Sequence, residues 1–460
     1  MNSLKRIVNS NSRVFNATRR TKQWRRFYST PVEFGRLMDS QNTKRLSIVG
    51  VDGSYKLSNE RILSPLLKSV EEETRRLALP NGQLFEGVFV EKGEYGLYAA
   101  FVHNTSRGAG CGGARVWNYD SFDELFRDGL RLSVGMTRKS ALAGLWVGGG
   151  KSIVCVDDPK SLQNPETRHK IFQEHGRFVS SLRGCYQLAE DIGATVQDMV
   201  SAHSTTRFVT CIPREMGGSG NPSEATAHGV VAGMKAALKH KGRTLKGAKI
   251  ASHGCGTVAT FLFEALLKEG AEIVEATDVN PDAVARTQQR FGINARLVPR
   301  GDVSVLSSEC DVLSLNALGG VLNHETIASV KAGIVCGAAN NQLQDASRDS
   351  LELHKRGILY CPDFVVNRAG IVNCAHEDSG NFGNSMKDPE IQKHFSTSFG
   401  RGVYAVTLTV IDESIKHNTS TDEVAKRLAD DASTVLHPLW PQRQRNIIRS
   451  LVADNWHEQI

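Results

Sequence analysis

Residues 247–259 read GAKIASHGCGTVA, an apolar run that enters G-x-G-x-x-A and continues into a helical pattern over 257–268. Gly254 and Gly256 permit a tight turn and let the backbone approach a pyrophosphate at a helix N-terminus, with Ala259 completing the motif. Asp278 follows 24 residues after Gly254, at the end of the next apolar run. A carboxylate there accepts hydrogen bonds from a ribose 2′-OH and repels a 2′-phosphate, which favours NAD over NADP. Around this unit the pattern alternates: a helix over 226–240, strands over 248–252 and 271–276, and further strands near 311–315, 333–336 and 358–361. Helices alternating with strands predict a parallel sheet covered on both faces, hence an α/β chain with a Rossmann-type dinucleotide-binding domain.

A chain of 460 residues exceeds one ordinary domain, so a second unit is expected before this one. Residues 31–85 are polar, with a helical stretch around 65–77, and 86–103 read as two strands joined by a Gly-containing turn. A helix over 121–134 and a short strand over 151–156 follow, while the polar segment 379–392 reads as a loop. The nine cysteines form no CxxC pair and sit mostly in apolar stretches, which predicts reduced, buried thiols and neither a disulfide framework nor a metal site. No apolar run is long enough to span a membrane.

The net charge of +7 belongs to the first thirty residues, which hold eight Lys or Arg and no acid. The remainder carries 48 basic against 49 acidic residues, so electrostatics argue against a nucleic-acid partner. An Arg- and Ser-rich, acid-free segment ending in Arg25-Arg26-Phe27-Tyr28-Ser29 has the composition of a mitochondrial transit peptide over 1–30. The expected location is the mitochondrial matrix.

The chemical centre is sought in residues 135–151, GMTRKSALAGLWVGGGK. Gly148, Gly149 and Gly150 are expected to let the backbone crowd a ligand and to present Lys151 from a constrained loop. A lysine after three glycines equally suits phosphate binding. The segment 186–199 adds Asp191 in an apolar, Gly-containing surround where an exposed loop carboxylate is not expected.

With these segments together, the chain resembles the leucine, phenylalanine, valine and glutamate dehydrogenases, and the leucine enzymes most closely. The similarity runs from about Phe85 to the C-terminus. It is carried by GGARVW (112–117), GMTRKSALAGLWVGGGK (135–151), AEDIGATVQDM (189–199), SGNPSEATAHGV (219–230), GCGTVA (254–259), CDVLSLNALGG (310–320), AANNQL (338–343) and PDFVVNRAGIVN (362–373). The resemblance implies a cleft between a substrate and oligomerisation domain over 31–210 and an NAD-binding domain over 211–404, with 405–460 folding back onto the first. It implies that Lys139 pairs with the substrate α-carboxylate, that Lys151 is the general base and that Asp191 assists. Gly112 and Asn341 would help hold the substrate. Thr210, Thr226 and Asn340 would contact the cofactor, beside Gly254, Gly256, Thr257, Val258, Ala259 and Asp278. A base lysine must be neutral near working pH, and burial beside another cation, here expected to be Lys139, lowers its pKa.

The resemblance also implies the substrate class. Where glutamate enzymes carry a lysine for the side-chain carboxylate this chain has Cys111, and where they carry a serine it has Cys374. With Ala189 and Ile371 these form an apolar wall, which disfavours glutamate and favours oxidative deamination of a branched aliphatic L-amino acid, leucine with isoleucine and valine. Two cysteines in place of larger aliphatics leave phenylalanine or broad specificity as the alternative. A catalytically silent cofactor-binding paralogue is the remote one, opposed by the presence of Lys139, Lys151 and Asp191. Arg368 replaces the alanine of the family's N-A-G-G and is expected to face solvent or the cofactor phosphates. The implied assembly is a homo-oligomer.

Overall fold

The computed structural model describes residues 30–77, 79–80, 83–378 and 385–459. The basic segment 1–29 and the start of the expected 379–392 loop lie outside the described residues.

The first unit is a seven-stranded mixed sheet of β1 (Arg45–Val51), β2 (Ser54–Leu57), β3 (Gly87–Lys92), β4 (Gly96–Asn104), β5 (Gly110–Val116), β6 (Gly148–Val156) and β7 (Tyr186–Glu190), in the order β2-β1-β3-β4-β6-β5-β7. Strand β5 pairs parallel with both β6 and β7, and the other pairings are antiparallel. Every residue of β4 and β6 is buried, because the two-residue period divides their side chains between two cores. Leu97, Ala99, Phe101, Ile153 and Cys155 join the cluster under helices Glu60–Arg76 and Phe122–Ala143. Tyr98, Ala100, Val102, Val154 and Val156 face helix Pro165–Ser181, with Trp456 in the same cluster. Residues 31–85 are thus not a polar appendage: they add β1, β2 and helix Glu60–Arg76 to this sheet.

The second unit is a wholly parallel sheet of β8 (Lys249–His253), β9 (Glu272–Asp278), β10 (Ala295–Leu297), β11 (Val312–Leu315), β12 (Ile334–Val335) and β13 (Leu359–Tyr360), in the order β10-β9-β8-β11-β12-β13. The order reverses between β8 and β11, and the glycine turn leaves β8 at that switch point, where doubly wound sheets place their ligand crevice.

The expected helix 121–134 runs on through Phe122–Ala143, capped by the Ser121 hydroxyl on Glu124 N–H and closed by Gly144 at φ +74°. Lys139 therefore stands on a helix. The C-terminal segment divides between the units. Helix Val403–His417 packs against Ser223–His240 of the second unit, whereas Thr421–Ser433 packs on Phe122–Ala143 and Arg443–Ala453 on β1. Trp456 meets Phe89 edge-on at 5.3 Å.

Arg368 does not face solvent or a phosphate. It is fully buried and donates to the carbonyls of Val365 and Arg401, each at 2.8 Å. The guanidinium caps the short helix Asp363–Val366, and burial lowers its pKa to about 9. All nine cysteines are reduced, and all but Cys310 are buried. Among the described residues no helix is long and apolar enough to cross a membrane, and no cluster of His, Cys, Asp and Glu is placed to hold a metal ion.

Candidate active site

Lys151 is delivered by a strand, not by a loop. Gly148, Gly149 and Gly150 open β6, and none has a positive φ. Their lack of side chains serves the protein's own packing. A Cβ on Gly149 would strike Thr137 of the helix above, and one on Gly150 would lie 2.8 Å from the Tyr186 ring of β7. Lys151 is 3% exposed, and its Nζ donates to Asp191 Oδ2 at 2.6 Å. Asp191 follows β7, and β5 lies between the two strands. Room for the contact comes from Gly113 of β5, where a Cβ would lie 2.5 Å from Asp191 Cβ, while a Cβ on Gly112 would strike the Gly150 carbonyl of the neighbouring strand.

Arg115 completes the cluster. Its Nε stands 3.2 Å from the same Asp191 oxygen, and its Nη1 donates to Asp128 at 2.9 Å. Burial pushes the Lys151 pKa down; Asp191 opposes this and Arg115 adds to it. Burial alone would raise Asp191, but Lys151 and Arg115 outweigh it and hold the carboxyl well below the usual carboxylate range. The cation that bears most on Lys151 is therefore Arg115, where Lys139 was expected. Arg115 lies in the GGARVW segment yet carried no expected role; a lone arginine in an apolar strand was the available signal.

Lys139 reaches across to the second unit, donating to Asn340 Oδ1 at 2.7 Å, and that oxygen also accepts from Asn367 Nδ2 at 2.9 Å. Burial lowers its pKa to about 8 against the opposing pull of Asp363, with Lys151 and Arg115 adding to the fall. Asp363, a second residue without an expected role, is itself raised by burial and accepts the Gln342 N–H at 3.1 Å. Asn340, expected at the cofactor, thus accepts from Lys139. Asn341, expected at the substrate, is exposed at φ +52°, and its carbonyl accepts the Gly320 N–H.

Cys111, Ala189, Ile371 and Cys374 meet in one buried apolar cluster, although they come from β5, β7 and helix Ala369–Asp378. None brings a charge. The Gly112 carbonyl accepts the Tyr186 hydroxyl within the sheet at 2.5 Å. Next to Ala189, Glu190 accepts from Asn221 at 3.0 Å, and burial raises that carboxyl to about 7.

In the second unit, Gly254 adopts φ +113°, where a side chain would be strained, and a Cβ there would lie 3.0 Å from Ala317. Gly256 caps helix Thr257–Lys268 with no side-chain hydrogen bond to the first turn, and a Cβ on it would meet nothing within 4 Å. Thr257 and Val258 form the open first turn, while Ala259 is fully buried beneath it. The Asp278 carboxylate accepts the N–H groups of Cys255 at 2.7 Å and Asn280 at 2.9 Å, which fixes it beside the turn. Open space, unpaired helix N–H groups and an adjacent carboxylate fit a dinucleotide. Thr210 donates to the Leu188 carbonyl and Thr226 to the Pro222 carbonyl.

Comparison with known proteins agrees with this geometry. The family model described as Glutamate/Leucine/Phenylalanine/Valine dehydrogenase matches residues 217–435, and Glu/Leu/Phe/Val dehydrogenase, dimerisation domain, matches 88–208. A leucine dehydrogenase of Geobacillus stearothermophilus is 42% identical over 293 residues, covering 63% of this chain and 77% of that protein. A phenylalanine dehydrogenase of Caldalkalibacillus thermarum is 34% identical over 335 residues, covering 72% and 85%. Among solved structures, L-tryptophan dehydrogenase from Nostoc punctiforme superposes with a TM-score of 0.58 at 27% identity, covering 79% of this chain and 98% of that one.

Proposed function

The chain belongs to the Glu/Leu/Phe/Val dehydrogenase family and is an amino acid dehydrogenase, and we propose that it oxidatively deaminates a branched-chain aliphatic L-amino acid, leucine with isoleucine and valine, using NAD. The observation that carries the substrate reading is the uncharged wall of Cys111, Ala189, Ile371 and Cys374. A glutamate carboxylate there would be buried without a partner, whereas a branched alkyl chain is matched. The small cysteines, and similarity to a phenylalanine dehydrogenase, support a broader aliphatic and aromatic range as the second reading. The carboxylate of Asp278 beside the glycine turn supports NAD over NADP.

In this reading Lys139 binds the substrate α-carboxylate and Asn340 holds its ammonium in position. Bound dinucleotide supplies the hydride acceptor for the substrate Cα. Lys151, neutral, takes the proton from the attacking water as it adds to the substrate iminium. Asp191 steadies the cationic carbon centre and the protonated lysine that follows, and Arg115 fixes its carboxylate. Loss of ammonia then leaves the 2-oxo acid. The match of residues 88–208 to a dimerisation domain supports a homo-oligomer built through the first unit. The composition of residues 1–30 supports a mitochondrial matrix location.

Steady-state kinetics with leucine, isoleucine, valine, phenylalanine and glutamate, each with NAD and NADP, test the reading. Highest kcat/KM is expected for leucine with NAD. Strong glutamate turnover would sink the pocket assignment, and a preference for phenylalanine would favour the second reading.

A further inference from the structure

Cys374 of the proposed substrate wall meets a second thiol, Cys211, that the proposed mechanism does not use. Cys211 Sγ and Cys374 Sγ stand 3.2 Å apart, both buried, although 163 residues separate them in the chain. Cys211 leaves the first unit two residues after Val209, which bridges Leu188 of β7. Cys374 lies on helix Ala369–Asp378, which also carries Ile371 of the wall.

Their approach is held in place from both sides. Cys211 has φ +64°, a conformation unfavourable for a residue with a side chain, so its surroundings must impose it. They do so through Glu377, one helical turn beyond Cys374. Its carboxylate accepts the N–H groups of Cys211 at 2.9 Å, Ile212 at 3.2 Å and Ser219 at 2.7 Å. One helix thus supplies both a thiol and the anchor that turns the other thiol toward it.

We propose that Cys211 and Cys374 form a dithiol modification site that closes to an internal disulfide when a small peroxide reaches it. The sulfurs must close from 3.2 Å to the bond length of about 2.05 Å. In the balanced step two thiols and one hydrogen peroxide give one S–S bond and two waters. The sulfurs lose two electrons, the O–O bond takes them up, and the thiol protons leave on the waters. The bond would staple the segment that joins the two units to the helix carrying Ile371, coupling oxidation to the substrate wall and to relative movement of the units. The neighbouring thiol and burial raise the Cys211 pKa well above the usual range, so attack is slow and needs a small, uncharged oxidant.

The test uses the full native chain treated with hydrogen peroxide, then alkylated under denaturing conditions and mapped by mass spectrometry. Cys310, the one cysteine that is not buried, reports whether oxidant exposure was sufficient. The expected result is a Cys211–Cys374 cross-linked peptide, an intact mass lower by two hydrogens, and lost turnover that returns with dithiothreitol. Cys211→Ser should lack the cross-link and keep a larger fraction of its own untreated activity. Recovery of both cysteines as alkylated thiols, or as separate sulfinic acids, in a sample where Cys310 is oxidised would overturn the proposal. The mass readout does not depend on which amino acid is the substrate.

Discussion

Lys151 Nζ and Asp191 Oδ2 stand 2.6 Å apart across a strand to which neither belongs. The intervening strand, β5, presents Gly113 at the crossing, where a Cβ would lie 2.5 Å from Asp191 Cβ, so the two groups meet over a position without a side chain. Lysine and carboxylate are therefore both held by the strands of the first sheet, and the proposed mechanism makes definite demands on pH, packing and specificity.

The pH profile should have two separable limbs. With neutral Lys151 as the proposed base, kcat/KM should rise with pH through a pKa that burial and Arg115 hold below the ordinary lysine value. Arg115→Met removes that cation and should move the rising limb to higher pH. In its proposed role Lys139 must be charged to bind a carboxylate, and burial brings it to about 8, so kcat/KM should fall as pH rises through that value. The falling limb should be absent from kcat, because bound carboxylate keeps the ammonium charged. A rising limb unmoved in Arg115→Met would remove Arg115 from the account.

Asp191→Ala should destabilise the fold as well as silence the site. The folded Asp191 carboxyl titrates below its unfolded value, so its contribution is present at neutral pH and lost as pH falls through the folded pKa. Its removal leaves Lys151 and Arg115 buried without that partner, at a cost of about 3–5 kcal/mol. Urea unfolding at neutral pH should show this loss, and the gap from wild type should narrow at acid pH. A gap that widens on acidification would contradict the sign of the shift.

Two glycine substitutions should separate packing from binding. Gly112→Ala drives a Cβ into the Gly150 carbonyl, so the protein should lose thermal stability and activity together. Gly256→Ala points a methyl into open space and should cost no more than about 1 kcal/mol of stability. Its NADH affinity should nevertheless fall, measured by fluorescence titration, because the backbone can no longer approach a pyrophosphate. Unchanged affinity would mean that the dinucleotide lies elsewhere.

Ala189→Leu should narrow the substrate wall from the β7 side. Each methylene of mismatch is worth about 1–3 kcal/mol of discrimination, so kcat/KM for leucine should fall relative to valine by roughly tenfold or more. An unchanged leucine-to-valine ratio would take Ala189 out of the pocket.

The second unit was legible because its signals are local. The glycines at 254 and 256, and the apolar run into 257–268, specify strand, turn and helix within a few residues of one another. The first unit was harder to read for physical reasons. Gly148–Gly150 have poor strand propensity and resemble a loop; long-range pairing with β4 and β5, under the Thr137 and Tyr186 side chains, makes them a strand. The helix continues past Val134 with Thr137 packed against Gly149 of β6, a contact that periodicity does not report. Asn340 and Asn341 are adjacent, and only the backbone at φ +52° decides which side chain meets Lys139. The Cys211–Cys374 contact joins positions too far apart in the chain for any spacing rule.

The most direct test of Lys151 as the base is kcat/KM of Lys151→Ala with leucine and NAD, measured across the pH profile on protein shown to be folded. A general base contributes roughly 10²–10⁴-fold, and a loss of that order with the rising limb abolished is the predicted result. Turnover within a few-fold of wild type, with the limb intact, would contradict it.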